Sequence, residues 1–467
     1  MAHSSTQGKK KSLQRHGTVI LAKGSSPVSS ASKLAEILQQ NRAGQAVGVF
    51  SICSANRHVL EAGMIQAKRD NRLLLIESTS NQVNQFGGYT GQTPADFAAF
   101  VRELAQEQDF PMQRAVLGGD HLGPHVWRKE SARTAMENGC AMVREYVRAG
   151  YTKIHLDASM HCADDAGDPR KPLAAEIVSA RAAELCSAAE AAHAELPEGS
   201  PSPLYVIGTE VPIPGGEQSE FHAPEITRAE DLARTLKLAR GEFESRRLHS
   251  AWERVIAVVV QPGVEFGDSS VHAYDSAKTA GLSDYLIRDW IGVFEAHSTD
   301  FQAASALRQL VQDHFAILKV GPWLTFAFRE AVFALAAIEN EWLGLRPAVK
   351  LSKVCEALEE AMIANPVHWR SHYRGDEASL RLARKYSFSD RSRYYWPQVE
   401  VNSALNALIA NLRANPAPAS LLSQYMPSQA AEVREGLLRN EPIELIRSKI
   451  LEVLDRYASA CGMKART

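Results

Sequence analysis

Cysteine is sparse and unpaired in this chain. Cys53, Cys140, Cys162, Cys186, Cys355 and Cys461 are scattered over 467 residues, and none forms a CxxC pair. That usage fits a reducing compartment, and a cytoplasmic setting is expected. An excess of one charge sign is also missing. The formal net charge is −2, which argues against nucleic acid as the main partner. Long hydrophobic runs are absent, since none reaches the ~18–20 residues a bilayer-spanning helix needs, and no membrane partner is expected. The opening stretch MAHSSTQGKKKSLQRHGTV is basic and polar with no apolar core behind it. It is a poor secretory signal, and a disordered lead-in is expected there. There is no Walker loop, no GxGxxG after a strand and no GxSxG, so nothing signals nucleotide hydrolysis, NAD-dependent chemistry or a serine hydrolase.

What the chain does have is 45% hydrophobic residues, enough to bury a full barrel with material left for an added segment. Much of this lies in eight short apolar runs, each closing on a polar or ionisable residue. VGVFSI closes at Ser51, LLLIE at Glu77, AVLGGDH at Asp120 and His121, and KIHLD at Asp157. LYVIGTE closes at Glu210, VIAVVVQ at Gln261, GVFEAH at His297 and AILK at Lys319. Buried parallel strands read as continuous apolar runs, and a strand–helix alternation repeated eight times predicts a (β/α)8 barrel, an α/β fold. Residues 1–44 are expected to be a flexible lead and a first helix, residues 45–340 the barrel, and residues 341–467 a helical C-terminal extension. PADFAAFVRELAQEQ has helical apolar spacing, and ESARTAMENGCAMVREYVRAG ends on Gly150, where a helix stop is expected.

In such a barrel the C-terminal strand ends converge on one face, where active sites sit. The densest motif is GGDHLGPH, residues 118–125. The His121 imidazole there can bind Zn²⁺ or a similar ion, and the adjacent Asp120 carboxylate can move protons. His125 is a weaker candidate, because a helix cap explains it equally. EAHSTD supplies His297 as a second candidate ligand, and Glu210 is a candidate third, with a salt bridge to Lys319 as its alternative. Asp157 is a candidate base, hydroxyl ligand or support for a metal ligand, Glu77 is another candidate carboxylate, and Lys319 is a candidate catalytic cation. His155 shares the Asp157 face one layer deeper and is expected to be a buried, hydrogen-bonded histidine rather than a ligand. The amide- and Gly-rich loop SNQVNQFGGYTGQTP offers Asn81 and Gln82 as substrate contacts, and Gln261 is a third. Phosphate is expected on the backbone at Gly321 or on Arg391 and Arg393 of SDRSRYYWP, where an aromatic domain interface is the alternative.

The stretches IESTSNQVNQFGGYTG, LGGDHLGP, KIHLDASM, YVIGTEVPIPGG, VVQPGVEF, EAHSTD, HFAILKVGP and SDRSRYYWP run in order after about residue 45. They resemble the D-tagatose-1,6-bisphosphate aldolase subunit family usually described as non-catalytic or chaperone-like. That family is similar to the metal-dependent class II aldolases, also barrels, in which an Asp–His pair follows the third strand. The resemblance implies Asp120 as base, with His121 and His297 as metal ligands. The remaining aldolase histidine follows a Gly-Thr pair, where this chain has Glu210 and Val211. This departs from ordinary aldolase machinery, and Glu210 is the expected replacement ligand. A divalent metal is therefore implied, Zn²⁺ first, with Mn²⁺, Ni²⁺ or Co²⁺ as alternatives. Two roles are implied: a C4-epimerase interconverting tagatose- and fructose-type ketoses or their 6-phosphates, and a stabilising subunit of a class II aldolase catalytic chain. The expected partners are a ketose or ketose phosphate, that aldolase chain, and further copies of this chain in a homo-oligomer.

Overall fold

The computed structural model describes residues 29–169, 171–208 and 224–462. The eight apolar runs form eight parallel strands, hydrogen-bonded in sequence order and closed into a barrel. They are β1 Val49–Ile52, β2 Leu74–Thr79, β3 Ala115–Leu122, β4 Lys153–Leu156, β5 Leu204–Gly208, β6 Val255–Val259, β7 Val293–Ala296 and β8 Phe315–Val320. Closure comes from β1 pairing with β8, Val49 opposite Ile317 and Ser51 opposite Lys319. Every residue of β1, β4, β5, β7 and β8 is buried, and apart from Ser51, Lys153, His155, Glu295 and Lys319 these strands are apolar.

Helices fill the connections. Pro94–Glu107 starts at a capping box, where Thr93 accepts from the Asp96 N–H and the Asp96 carboxylate accepts from the Thr93 N–H. Ala132–Arg148 is followed by Gly150 at φ +92°, a backbone conformation that favours glycine.

The barrel interior changes character along its axis. At the N-terminal end, Val49, Leu75, Val116, Val206, Ala257, Val259, Val293 and Ile317 pack as one buried cluster with Ala31, Leu34 and Leu38 of the helix Ser30–Arg42. This helix plugs the bottom of the barrel. At the C-terminal end the inward positions are ionic.

The expected boundary at residue 340 falls inside the helix Pro322–Leu343. Beyond it lie the helices Val354–Ala364, Glu377–Tyr386, Val399–Ala414 and Pro442–Ala460. The last packs against Arg57–Arg69, Ala304–Gln312 and Pro322–Leu343 of the outer ring. Two side chains stitch it there: Arg447 pairs with Glu61 at 2.7 Å, and the Tyr457 hydroxyl donates to the Thr299 carbonyl at 2.8 Å. The extension is thereby tied to the loop that follows β7. None of the described helices is long and apolar enough to cross a membrane.

Candidate active site at the barrel mouth

Period-two alternation places Lys153, His155 and Asp157 on one inward line along β4, and Glu295 and His297 on another along β7. Glu77 of β2, Asp120 of β3 and Lys319 of β8 meet them. Gly118 makes room for this, since a Cβ there would lie 2.7 Å from the Glu77 Cγ. Lys153 and Glu295 are fully buried with Glu77, and the Lys153 ammonium sits 2.5 Å from Glu77 Oε1 and 2.7 Å from Glu295 Oε2. Lys319 pairs closely with Glu77, lies 3.0 Å from Asp120 Oδ1 and approaches Glu295 Oε1 at 3.7 Å.

Three imidazoles close the upper side. Ring centroids are 4.8 Å apart for His121–His297, 5.1 Å for His121–His155 and 5.4 Å for His155–His297. Each has a carboxylate neighbour. His121 Nδ1 is 2.7 Å from Asp157 Oδ2, His155 Nδ1 is 3.0 Å from Asp120 Oδ1, and His297 Nε2 is 3.1 Å from Glu295 Oε1. Asp157 is fixed on its other side by the Ser159 N–H and hydroxyl. His121 and Ser298 both take left-handed backbone angles, φ +49° and +51°. Such strain in non-glycine residues concentrates at functional sites.

Charge follows from this packing. Burial alone would push the carboxyls up, but the neighbouring cations and imidazoles outweigh it. Glu295 is held at about 2 by Lys153, His297 and His155. Asp120 and Asp157 are both held well below the usual carboxylate range, Asp120 by His121, His155 and His297, and Asp157 by His121, His155 and the Ser159 hydroxyl. For His121, burial works downward, and Asp120 and Asp157 together raise it above its ordinary value.

These residues suit a divalent cation. Ligand atoms of Asp120, His155, Glu295 and His297 lie within 4.8 Å of one another. The His155 Nε2 atom is buried without a hydrogen-bond partner. Among the described groups, the carboxylates Glu77, Asp120 and Glu295 meet the ammoniums Lys153 and Lys319, and Asp157 meets the His121 imidazole.

Of the expected site residues, Glu77, Asp120, His121, Asp157, His297 and Lys319 converge here. Glu210 lies outside the described residues. The substrate and phosphate candidates have other engagements. The Gln82 side-chain oxygen accepts from the Thr79 N–H at 2.8 Å, and that of Gln261 from the Gly263 N–H at 2.8 Å. Asn81 is exposed, and its carbonyl accepts from Tyr89 N–H. The Gly321 N–H, expected to be open to phosphate, donates to Asp300 Oδ1 at 3.1 Å. A carboxylate thus already caps the helix Pro322–Leu343. Arg391 donates to the His368 carbonyl at 3.0 Å, and Arg393 to the Tyr394 hydroxyl at 3.0 Å. Tyr394 stacks on His368 and meets Tyr89 of the β2 loop edge-on. This aromatic contact links His368 and Tyr394 to the loop that follows β2.

Sequence reading missed Lys153 and Glu295 and set His155 aside. His155 lies two residues before Asp157, Glu295 two before His297 and Lys153 four before Asp157, so period-two spacing was the available signal.

A closed parallel barrel with buried carboxylates, ammoniums and imidazoles at its C-terminal mouth belongs to the class of barrel proteins with an enzyme-like polar centre. Residues 34–462 match the family described as D-tagatose-1,6-bisphosphate aldolase subunit GatZ/KbaZ-like, and the chain belongs to that family. A solved structure from Sinorhizobium meliloti 1021, described as a probable tagatose 6 phosphate kinase, is 42% identical, covering 89% of this chain and 100% of its own at a TM-score of 0.80. A fructose-bisphosphate aldolase from Campylobacter jejuni is 12% identical over 83% of this chain and 93% of its own, and its TM-score of 0.40 is too low to bear on function.

Proposed function

We propose that the chain is a metal-dependent C4-epimerase of ketoses or ketose 6-phosphates, interconverting tagatose- and fructose-type sugars in the cytoplasm. The observation that carries this reading is the buried meeting of three imidazoles with carboxylates and ammoniums at the barrel mouth. A purely scaffolding surface has no physical need for so costly a cluster.

The hydrogen on C4 of a 2-ketose is not adjacent to the carbonyl, so direct abstraction is too difficult. A retro-aldol route avoids it. A base takes the C4 hydroxyl proton, the C3–C4 bond breaks, and its electron pair moves into the C2–C3 enediolate while C4 becomes an aldehyde carbon. The aldehyde turns its other face, C3 re-adds, and the new C4 alkoxide recovers a proton. Asp120 and Asp157 are the proton-handling groups of this reading, with Glu77 as a substitute. Lys319 offsets negative charge on the enediolate. A divalent ion, Zn²⁺ first, supplies Lewis-acid stabilisation of that charge. His121, His297 and Glu210 are the ligands implied by the family resemblance. Arg391 and Arg393, with Asn81 and Gln82, are the groups to which a substrate phosphate would be drawn.

The decisive experiment incubates purified protein, loaded separately with Zn²⁺, Mn²⁺, Ni²⁺ or Co²⁺, with D-tagatose, D-fructose and their 6-phosphates, and follows interconversion by NMR. No conversion of any of the four sinks the reading. The second reading is a stabilising subunit of a class II aldolase, supported by the subunit description of the family. It requires that mixing lengthen the half-life of the catalytic chain, and it fails if the half-life is unchanged.

A further inference from the structure

We infer that His155, from β4, is a metal ligand through Nε2, and that the ion sits one layer below the rim, between His155, His297 and Glu295, with Asp120 orienting His155 from its other nitrogen and the His121–Asp157 pair left free for substrate. This rests on the reading that the mouth holds a divalent ion, but not on the reaction catalysed there.

The starting observation is an orphan. His155 is 1% exposed, and its Nε2 has no hydrogen-bond partner. At the other nitrogen, Nδ1 faces Asp120 Oδ1 at 3.0 Å and the His121 backbone N–H at 3.3 Å. The carboxylate contact is shorter and charge-assisted, so it selects the tautomer with the proton on Nδ1. That tautomer leaves a bare lone pair on Nε2 in a site closed to water. A carboxylate that orients a histidine through Nδ1, with Nε2 presented inward, is the arrangement by which proteins hold metal-binding imidazoles.

The neighbours agree. His297 stands perpendicular to His155 with ring centroids 5.4 Å apart. Its Nε2 is 3.1 Å from Glu295 Oε1, and a ligand atom from each of His155, His297 and Glu295 lies within 4.8 Å of the other two. Two imidazoles and one carboxylate, with a position left open, are a suitable donor set for Zn²⁺ or Co²⁺. His121 is placed differently. It is 20% exposed at the side chain, and its Nδ1 is committed to Asp157 at 2.7 Å. It sits at the lip, where a sugar hydroxyl can reach it. The structure thus offers a third imidazole from β4 in a chain whose Gly-Thr pair is followed by Glu210 rather than histidine.

The test uses the full chain stripped of metal and titrated with Zn²⁺ or Co²⁺ alone. Metal content and the Co²⁺ visible spectrum are read for the parent, His155→Gln and His121→Gln, with circular dichroism confirming the fold. His155→Gln is expected to weaken binding beyond the ~10–100-fold that loss of an orienting partner costs, whereas His121→Gln keeps its ion. Unchanged affinity in His155→Gln, or loss of the ion from folded His121→Gln, overturns the assignment. Should His155→Gln fail to fold, anomalous diffraction from zinc-loaded parent crystals decides: a peak at bonding distance from His155 supports the assignment, and a peak at His121 refutes it. Metal bound through His155 without any epimerase activity leaves this inference standing and removes only the proposed reaction.

Discussion

Replacing Lys153 with methionine probes the charge economy beneath the mouth. The ammonium bridges Glu77 and Glu295 at 2.5 and 2.7 Å with no solvent access to any of the three. Breaking a buried pair by removing one partner costs about 3–5 kcal/mol, because the remaining charge is stranded. Two carboxylates lose a partner here, but Glu77 keeps Lys319, and Glu295 keeps His297 at 3.1 Å. The expected cost is therefore about 3–5 kcal/mol rather than twice that. Its pH dependence has a definite sign. In the parent, burial would raise the Glu295 carboxyl, yet Lys153 and the imidazoles hold it at about 2, below its ordinary 4.5. The stabilisation this gives is present above pH 4.5 and is lost as pH falls toward 2. In Lys153→Met the burial effect prevails and the carboxyl moves upward, so the variant's deficit is largest at neutral pH and narrows as the solution is acidified. Urea unfolding of both proteins at several pH values measures this, and adding Glu295→Gln should recover part of the loss. A deficit below about 1 kcal/mol, the scale of an exposed pair, or one independent of pH, would refute the reasoning.

Other expectations come from particular contacts. Burial raises Asp300 from 3.8 to about 6 against the N–H donors of Trp323 and Gly321, so its stabilising share is complete below pH 3.8 and fades as pH rises through 6. Asp300→Asn should flatten thermal stability across that window, and an unchanged pH slope would tell against it. Tyr457→Phe leaves the Thr299 carbonyl without its 2.8 Å donor and should cost about 1 kcal/mol, measurable by denaturant unfolding. If Arg393 meets a substrate phosphate, Arg393→Ala should raise KM for a ketose 6-phosphate and leave that for the free ketose unchanged. An equal effect on both substrates would return Arg393 to a purely structural role with Tyr394.

The barrel was legible because burial on both faces makes β5 a continuous apolar run and leaves β4, β7 and β8 apolar apart from Lys153, His155, Glu295 and Lys319. The strand ends Glu77, Asp120, His121, Asp157, His297 and Lys319 were legible for a related reason: an ionisable residue closing such a run has the mouth as its only polar destination. Spacing within a strand also showed that His155 lies deeper than Asp157. It could not show what His155 meets, since Asp120, Glu295 and His297 arrive from β3 and β7 only when the barrel closes. The same is true of Lys153, which reads as one more charged residue until Glu77 and Glu295 are brought to it from both sides. At Gly321 the sequence showed an open helix start, and the fold supplied the Asp300 carboxylate that fills it. The extension reads as amphipathic helix, yet only packing brings Tyr457 to Thr299 and Tyr394 to Tyr89. Local chemistry and period are written along the chain, whereas the partner of a buried charge depends on loop closures across hundreds of residues, which only the folded barrel decides.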